Sequence, residues 1–247
     1  MTEPHDPAPA PPASAARPAA LNDLSEDALG FGARELVTMR DLLLRPRHVL
    51  EAWMTAGPSG GGHYARPLRL YLGLNAILML ILFLRGGTTL MLAGVPDLYL
   101  QPLIEASGKS RDGFLADADG WMTLVLVPLV SVAYACVAAP LLRWWDPETL
   151  GWRRGFRAAF AYLCAWTVPI LPFAWWSFST DPVGQALGLA LILVGIVTFL
   201  RMGAGRWWRA PAAGFGKAVA LSIALWFAGT VGLLPVLAIG LLAGRFG

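Results

Sequence analysis

The 247-residue chain is 56% hydrophobic and 14% charged, with eleven tryptophans and a mean hydropathy of +0.57, whereas an average soluble domain carries about 25% charged residues. This composition predicts a membrane protein. Two cysteines exclude a disulfide scaffold, and a net charge of +3 is too small to be a nucleic-acid footprint, so no nucleic-acid partner is expected.

Residues 1–22 form a Pro/Ala-rich tail. Its first twenty residues hold six prolines and seven alanines, too little apolar surface to offset the entropy of ordering, so disorder is expected. Prolines also interrupt every run that could serve as the apolar core of a secretory signal. The tail is therefore expected to remain, uncleaved, in the cytoplasm.

In residues 23–56, Leu36, Met39, Leu43, Leu50, Trp53 and Met54 recur at helical spacing with Arg34, Arg40, Arg45 and Arg47 between them, which predicts amphipathic helices. Pro46 divides them into two, because proline breaks a helix interior but suits a first helical position. Thr38 with Asp41 resembles a capping box. Two arrangements use the same apolar stripe: helices lying on the anionic inner face of a bilayer, or helices packed on the protein's own spans. Residues 57–66 read as a Gly-rich linker, since no Lys-Ser or Lys-Thr pair closes a phosphate loop there and no strand precedes it.

Residues 67–247 read as the membrane domain. A spanning helix needs about 20 apolar residues. Four stretches without a charged residue meet that length, 121–142, 158–178, 182–200 and 218–242, and a fifth, 70–84, meets it with Pro67-Leu68-Arg69 as its first turn. The fold class is thus all-α: a polytopic five-helix transmembrane bundle with N-terminal cytoplasmic amphipathic helices. Arg69 and Arg85 are expected to snorkel to opposite headgroups. The turn at 179–181 makes the third and fourth spans antiparallel neighbours.

Lys and Arg counts set the orientation. With a cytoplasmic N-terminus, fifteen cations and ten acids lie inside against four cations and six acids outside, giving +5 and −2. The chain is predicted to sit in a bacterial inner membrane, N-terminus cytoplasmic and C-terminus periplasmic. Trp144, Trp145, Trp152, Trp207 and Trp208 would mark the inner headgroup level, and Trp121, Trp175 and Trp176 the outer one. The outer loop, 86–120, contains an apolar stretch, 90–103, interrupted by Gly94, Pro96 and Asp97. It reads as an embedded cap on the bundle or as a periplasmic binding segment.

Arg143-Trp144-Trp145 and Arg206-Trp207-Trp208 echo one another ahead of the third and fifth spans. Either an internal duplication or a shared need for aromatic and cationic anchors accounts for them. Gly184-x-x-x-Gly188 with Gly195, and Gly240-x-x-x-Gly244, predict close helix approach. Pro128, Pro140, Pro169, Pro172 and Pro235 predict kinks, above all at Pro169-Ile170-Leu171-Pro172.

Between their ends the five spans contain no Asp, Glu, Lys, Arg or His, which argues against a proton-coupled pump. The polar side chains that remain include Asn75, Tyr134, Tyr162, Thr167 and Gln185, whose expected roles are interhelical hydrogen bonding or a substrate path. Cys136 and Cys164 read as small apolar fillers. His5, His48 and His63 lack the spacing of metal ligands, no nucleophile with a base and an orienting acid is apparent, and no cofactor is expected.

The run 36–50 with its Arg45-Pro46 turn, followed by His63-Tyr64-Ala65-Arg66-Pro67-Leu68, resembles the opening of an uncharacterised bacterial multi-pass family, without the cysteine zinc ribbon that often precedes it. The five-span plan, with Ala161-Tyr162 ahead of Val168-Pro169-Ile170-Leu171-Pro172, is similar to bacterial members of the Yip membrane-trafficking family over residues 35–242. That resemblance implies a non-enzymatic membrane adaptor. On this reading the basic cytoplasmic face, Arg40, Arg45, Arg47, Arg66 and Arg69, meets anionic lipids, other membrane proteins or a second copy of the chain. The alternative is a transporter or scramblase for a lipid or small molecule, working beside the kinked third span.

Overall fold

A computed structural model describes residues 32–88, 92, 95–177 and 182–246. The expected tail at 1–22, the adjoining residues to 31 and the turn at 179–181 lie outside the described residues. Every regular element among those described is a helix. In chain order these are α1 (Ala33–Leu44), α2 (Pro46–Thr55), α3 (Pro67–Leu84), α4 (Asp97–Ser107), α5 (Arg111–Trp145), α6 (Trp152–Thr167), a 3₁₀ turn (Leu171–Phe173), α7 (Ala174–Ser177), α8 (Pro182–Gly203) and α9 (Pro211–Phe246). Four of them, α3, α5, α8 and α9, are long and apolar enough to cross a membrane.

The stretch expected as a third span is not one helix. Pro169 and Pro172 have no N–H, so the carbonyls of Ala165 and Val168 lose their helical donors. The α-helix stops at Thr167, a turn closes through Ile170 N–H donating to the Thr167 carbonyl at 3.0 Å, and the chain continues through the 3₁₀ turn into α7. This composite still runs along the bundle. At one end Arg157 of α6 donates to the Trp53 carbonyl, and at the other the Trp175 carbonyl of α7 accepts from Arg85, whose guanidinium lies over the Trp175 ring. Pro128, Pro140 and Pro235, by contrast, sit inside helices that continue through them.

Two helices are longer than hydropathy alone suggests. The start of α5 falls in the expected outer loop, where the Ser110 hydroxyl accepts from Gly113 N–H at 3.2 Å and Asp112 occupies the first turn, both favourable at the positive end of a helix. Pro211 starts α9 in the expected inner loop. The two helices pack antiparallel: Gly244 lies against Phe114, Gly240 against Met122 and Gly232 against Ala133. A Cβ at Gly244 would stand 2.9 Å from the Phe114 ring, so glycine there permits the approach. The other expected glycine contact is different. Gly188 faces open space, while Gly195 lies beneath Tyr162 and Trp166 of α6.

At the end of the bundle where α1 and α2 lie, a polar collar ties the elements together. Leu42, Val49, Leu50, Trp53 and Met54 are buried. Trp53 Nε1 donates to the Ala65 carbonyl at 3.0 Å, and Ala65 N–H donates to Thr38 Oγ1 at 2.9 Å. Thr38 is therefore a mid-helix bridge rather than a cap, its own hydroxyl donating to the Arg34 carbonyl. The expected linker at 57–66 is a run of hydrogen-bonded turns. Gly57, Gly60, Gly61 and Gly62 all have positive φ, a region open to glycine at little cost.

Candidate functional site

Two adjoining, partly open cavities lie between the helices beside the break after Thr167, the second bordered by the exposed Gln185, Leu189 and Trp226. The first, about 310 Å³, is lined by Tyr71 and Asn75 of α3, Ser131 and Tyr134 of α5, Trp166 and Thr167 at the end of α6, and Ile170 and Ala174 beyond it. The second, about 520 Å³, is lined by Tyr134, Tyr162, Trp166, Gln185, Gly195 and Ser222 among others. Tyr134, Trp166 and Leu191 belong to both walls. All five uncharged polar residues expected as a substrate path thus line this pair: Asn75, Tyr134 and Thr167 the first, and Tyr134, Tyr162 and Gln185 the second.

The hydrogen bonds around the cavities are incomplete. The Tyr71 hydroxyl donates to the Ser131 carbonyl at 3.1 Å, and Ser131 Oγ donates to Asn75 Oδ1 at 2.9 Å. That exchange uses the Asn75 carbonyl and leaves its buried amide nitrogen without a partner. Ser222 Oγ, in the second wall, is also buried without one. A buried polar group with no partner costs about 1–3 kcal/mol and calls for a physical reason. On α6, Tyr162 and Trp166 are better served: their OH and Nε1 donate to the carbonyls of Gly195 at 3.2 Å and Leu191 at 2.9 Å, one helical turn apart on α8. These bonds pair α6 with α8 in antiparallel fashion and position the aromatic wall, in which the Tyr134 and Trp166 rings lie 5.7 Å apart.

The lining determines the chemistry. Neither wall contains Asp, Glu, Lys, Arg or His, so nothing there offsets the desolvation of a charged ligand. Aromatic and aliphatic faces with a few hydrogen-bonding groups suit a small uncharged molecule, and both volumes fall within the roughly 300–1,000 Å³ of ligand pockets. Among the described residues no three His, Cys, Asp or Glu gather as metal ligands. Cys164 is buried, its thiol directed at the Pro67 carbonyl, whereas Cys136 faces outward from α5.

The five arginines of the expected basic face are spread over α1, α2 and the start of α3, and several have partners. Arg40 pairs with Asp41 at 2.9 Å, Arg47 with Glu51 at 2.7 Å and Arg69 with Glu35 at 3.2 Å. Arg45 and Arg66 are exposed. Burial alone would raise the Asp41 carboxyl, but hydrogen bonds from Arg40 and the Tyr64 hydroxyl outweigh it and hold the group below the usual carboxylate range.

A site that the sequence did not announce joins the α5–α6 and α8–α9 connections. Arg206 makes a two-pronged contact with Asp146 through Nε and Nη2, and Nη2 also lies 3.1 Å from Glu148. The Asp146 side chain is fully buried. Burial works against the Arg206 charge, and the two carboxylates overcome it, raising the group above its ordinary value. The echoing Arg-Trp-Trp segments meet here without equivalent environments. Trp207 is 1% exposed and stacks on Phe199, while Trp144 is 80% exposed. Trp207 is thus a core residue rather than a headgroup marker.

These features define a helical protein of the membrane-spanning class, with four helices long and apolar enough to cross a bilayer and two adjoining, partly open cavities between its helices. No protein-family description matches the chain, nor does any curated protein or solved structure.

Proposed function

We propose that this is a non-enzymatic, five-span inner-membrane protein that binds a small uncharged amphipathic molecule or lipid portion at mid-membrane and passes it along the broken third span. In this reading α6, the 3₁₀ turn and α7 together form that span, the N-terminus is cytoplasmic and the C-terminus periplasmic, in keeping with the excess of Lys and Arg on one side. The observation that carries the reading is the pair of adjoining cavities whose walls hold buried polar groups without protein partners, Asn75 Nδ2 and Ser222 Oγ. The freed carbonyls of Ala165 and Val168 fit a broken helix lining such a path.

Mass spectrometry of molecules retained by the protein in nanodiscs, with a liposome flux assay of a fluorescent lipid, tests the reading. A Cβ at Gly229 would stand 2.8 Å from the Tyr134 hydroxyl, so Gly229→Leu should fill the junction of the cavities and reduce retention and flux together. Unchanged retention and flux in a folded variant overturn the reading. Reporters placed in the 86–120 loop and after Gly247 test the layout separately; cytoplasmic behaviour of either breaks it.

A second reading, an adaptor acting through the basic face as in the Yip-like resemblance, is favoured by α1. Its Leu36 and Leu44 remain 62% and 63% exposed beside the exposed Arg45. Affinity purification in mild detergent, with Arg40, Arg45, Arg47, Arg66 and Arg69 all changed to Gln, should lose membrane-protein partners or a second copy. An unaltered set of partners counts against it.

A further inference from the structure

A separate crevice of about 280 Å³ lies where the turn between α1 and α2, the break after α6 and the last turns of α8 meet. Leu42, Leu43 and Pro46 form one wall, Leu193 and Val197 of α8 another, with Pro169 of the break between them, and Arg201 stands at one end. The crevice contains no acidic residue. From Arg201 to Leu193 it follows eight residues of helix, roughly 12 Å at 1.5 Å per residue, so it is a slot parallel to the bundle rather than a surface dimple.

Its two ends differ in chemistry. Arg201 donates through Nη2 to the Leu44 carbonyl at 3.1 Å, so its guanidinium meets the backbone one residue before the exposed Arg45, which does not itself line the crevice, and most of its five donors stay available. Just past Pro46, the Arg47 guanidinium lies against Gly205, 3.2 Å from where a Cβ would stand, and its charge is partly met by Glu51. Cations thus gather at the α1–α2 turn, and beyond Thr198, about one turn from Arg201, only aliphatic groups and proline line the crevice. A free anion gains nothing from the apolar part, and an apolar ligand gains nothing from the arginines. A molecule with a phosphate at one end and a hydrocarbon chain at the other matches both.

We propose that this crevice is a binding site for an anionic glycerophospholipid, with the phosphate at Arg201 and Arg45 and one acyl chain along α8 toward Pro169. The inner headgroup level of Arg201 rests on the proposed five-span layout, whereas the binding itself rests on the crevice and not on the layout or the central cavities. Arg201 also joins α8 to α1 through the Leu44 carbonyl, so an occupied site would tie the N-terminal helices to the bundle.

The test is native mass spectrometry of the full chain in neutral detergent, titrated with phosphatidylglycerol or phosphatidylcholine. The wild type should retain phosphatidylglycerol preferentially. Because each cation near a lipid surface contributes about 1 kcal/mol, Arg45→Gln with Arg201→Gln should weaken that retention roughly 30-fold. Val197→Trp, which fills the slot while keeping both charges, should weaken it as well, and Arg153→Gln, at an exposed cation that does not line the crevice, should not. Equal retention of the two lipids by the wild type, full retention by the double variant, or displacement of the lipid by inorganic phosphate alone would overturn the proposal. Arg201→Lys, with unfolding followed by tryptophan fluorescence, separates loss of binding from loss of fold: restored retention supports the site, and a folded double variant that still binds sinks it. A failed topology reporter with lipid selectivity intact would overturn the layout and leave this lipid site standing.

Discussion

The collar and the middle of the bundle differ in where their unpartnered polar groups lie. At the collar Trp53, Thr38, Tyr64, Arg157 and Arg206 each reach a partner on another segment. At mid-bundle, Asn75 and Ser222 keep buried polar atoms with none, in the cavity walls, while beside Arg206 the indole N–H groups of Trp207 and Trp208 are also buried without a partner. Satisfied networks rigidify and specify a structure, whereas half-satisfied ones cost stability. The collar, tied by bonds between segments, therefore reads as scaffold, and the middle, whose unpartnered groups line cavities, as a place where the protein forgoes stability for a role that a ligand completes.

The largest expected effect comes from breaking the collar. Asp146→Ala leaves the Arg206 guanidinium, whose side chain is only 13% exposed, with Glu148 alone, and should destabilise by about 3 kcal/mol, read as a lower unfolding midpoint in detergent. Losing no more than a few tenths would show that the collar is not the scaffold. The opposite sign is expected at the centre. Ser222→Ala removes an unpartnered buried hydroxyl and should leave stability unchanged or raise it by about 1 kcal/mol, while lowering ligand retention. A destabilised variant with retention intact would erase the contrast.

The smallest effect concerns Asp41. Its folded-state pKa is depressed, so its contribution is present above the unfolded value of about 3.9 and is lost as pH falls through the lower folded value. Tyr64→Phe removes one of the two hydrogen bonds that lower it and should flatten the loss of stability in thermal melts below about pH 4. An acid limb as steep as the wild type's would remove Tyr64 from that role.

Much of the centre was legible in the sequence, for a physical reason. In helices without charge, an amide or hydroxyl must find a partner or a cavity, so Asn75, Tyr134, Tyr162, Thr167 and Gln185 could be singled out before their neighbours were known. The break was legible because a proline's missing N–H is a local fact, and Pro169 and Pro172 lie three residues apart. Long-range pairing was not. Asp146 and Arg206 are sixty residues apart with no periodicity linking them, and nothing local distinguishes Trp207 in the core from Trp144 outside it. Hydropathy also missed the starts of α5 and α9, because Ser110 and Pro211 announce a helix through capping and backbone geometry rather than through apolar content. The arginines of α1 and α2 were legible as a face, but the acids that claim Arg40, Arg47 and Arg69 emerged only with the fold.

The Asp146–Arg206 contact has a mechanical consequence. It bolts the connection between α5 and α6 to the connection between α8 and α9, so four of the bundle's rods are pinned at the same end. Rods pinned at one end can part only at the other, where α4, α7 and the tip of α9 lie. Any widening of the central cavities that keeps this bolt fastened must open like tongs, away from the collar.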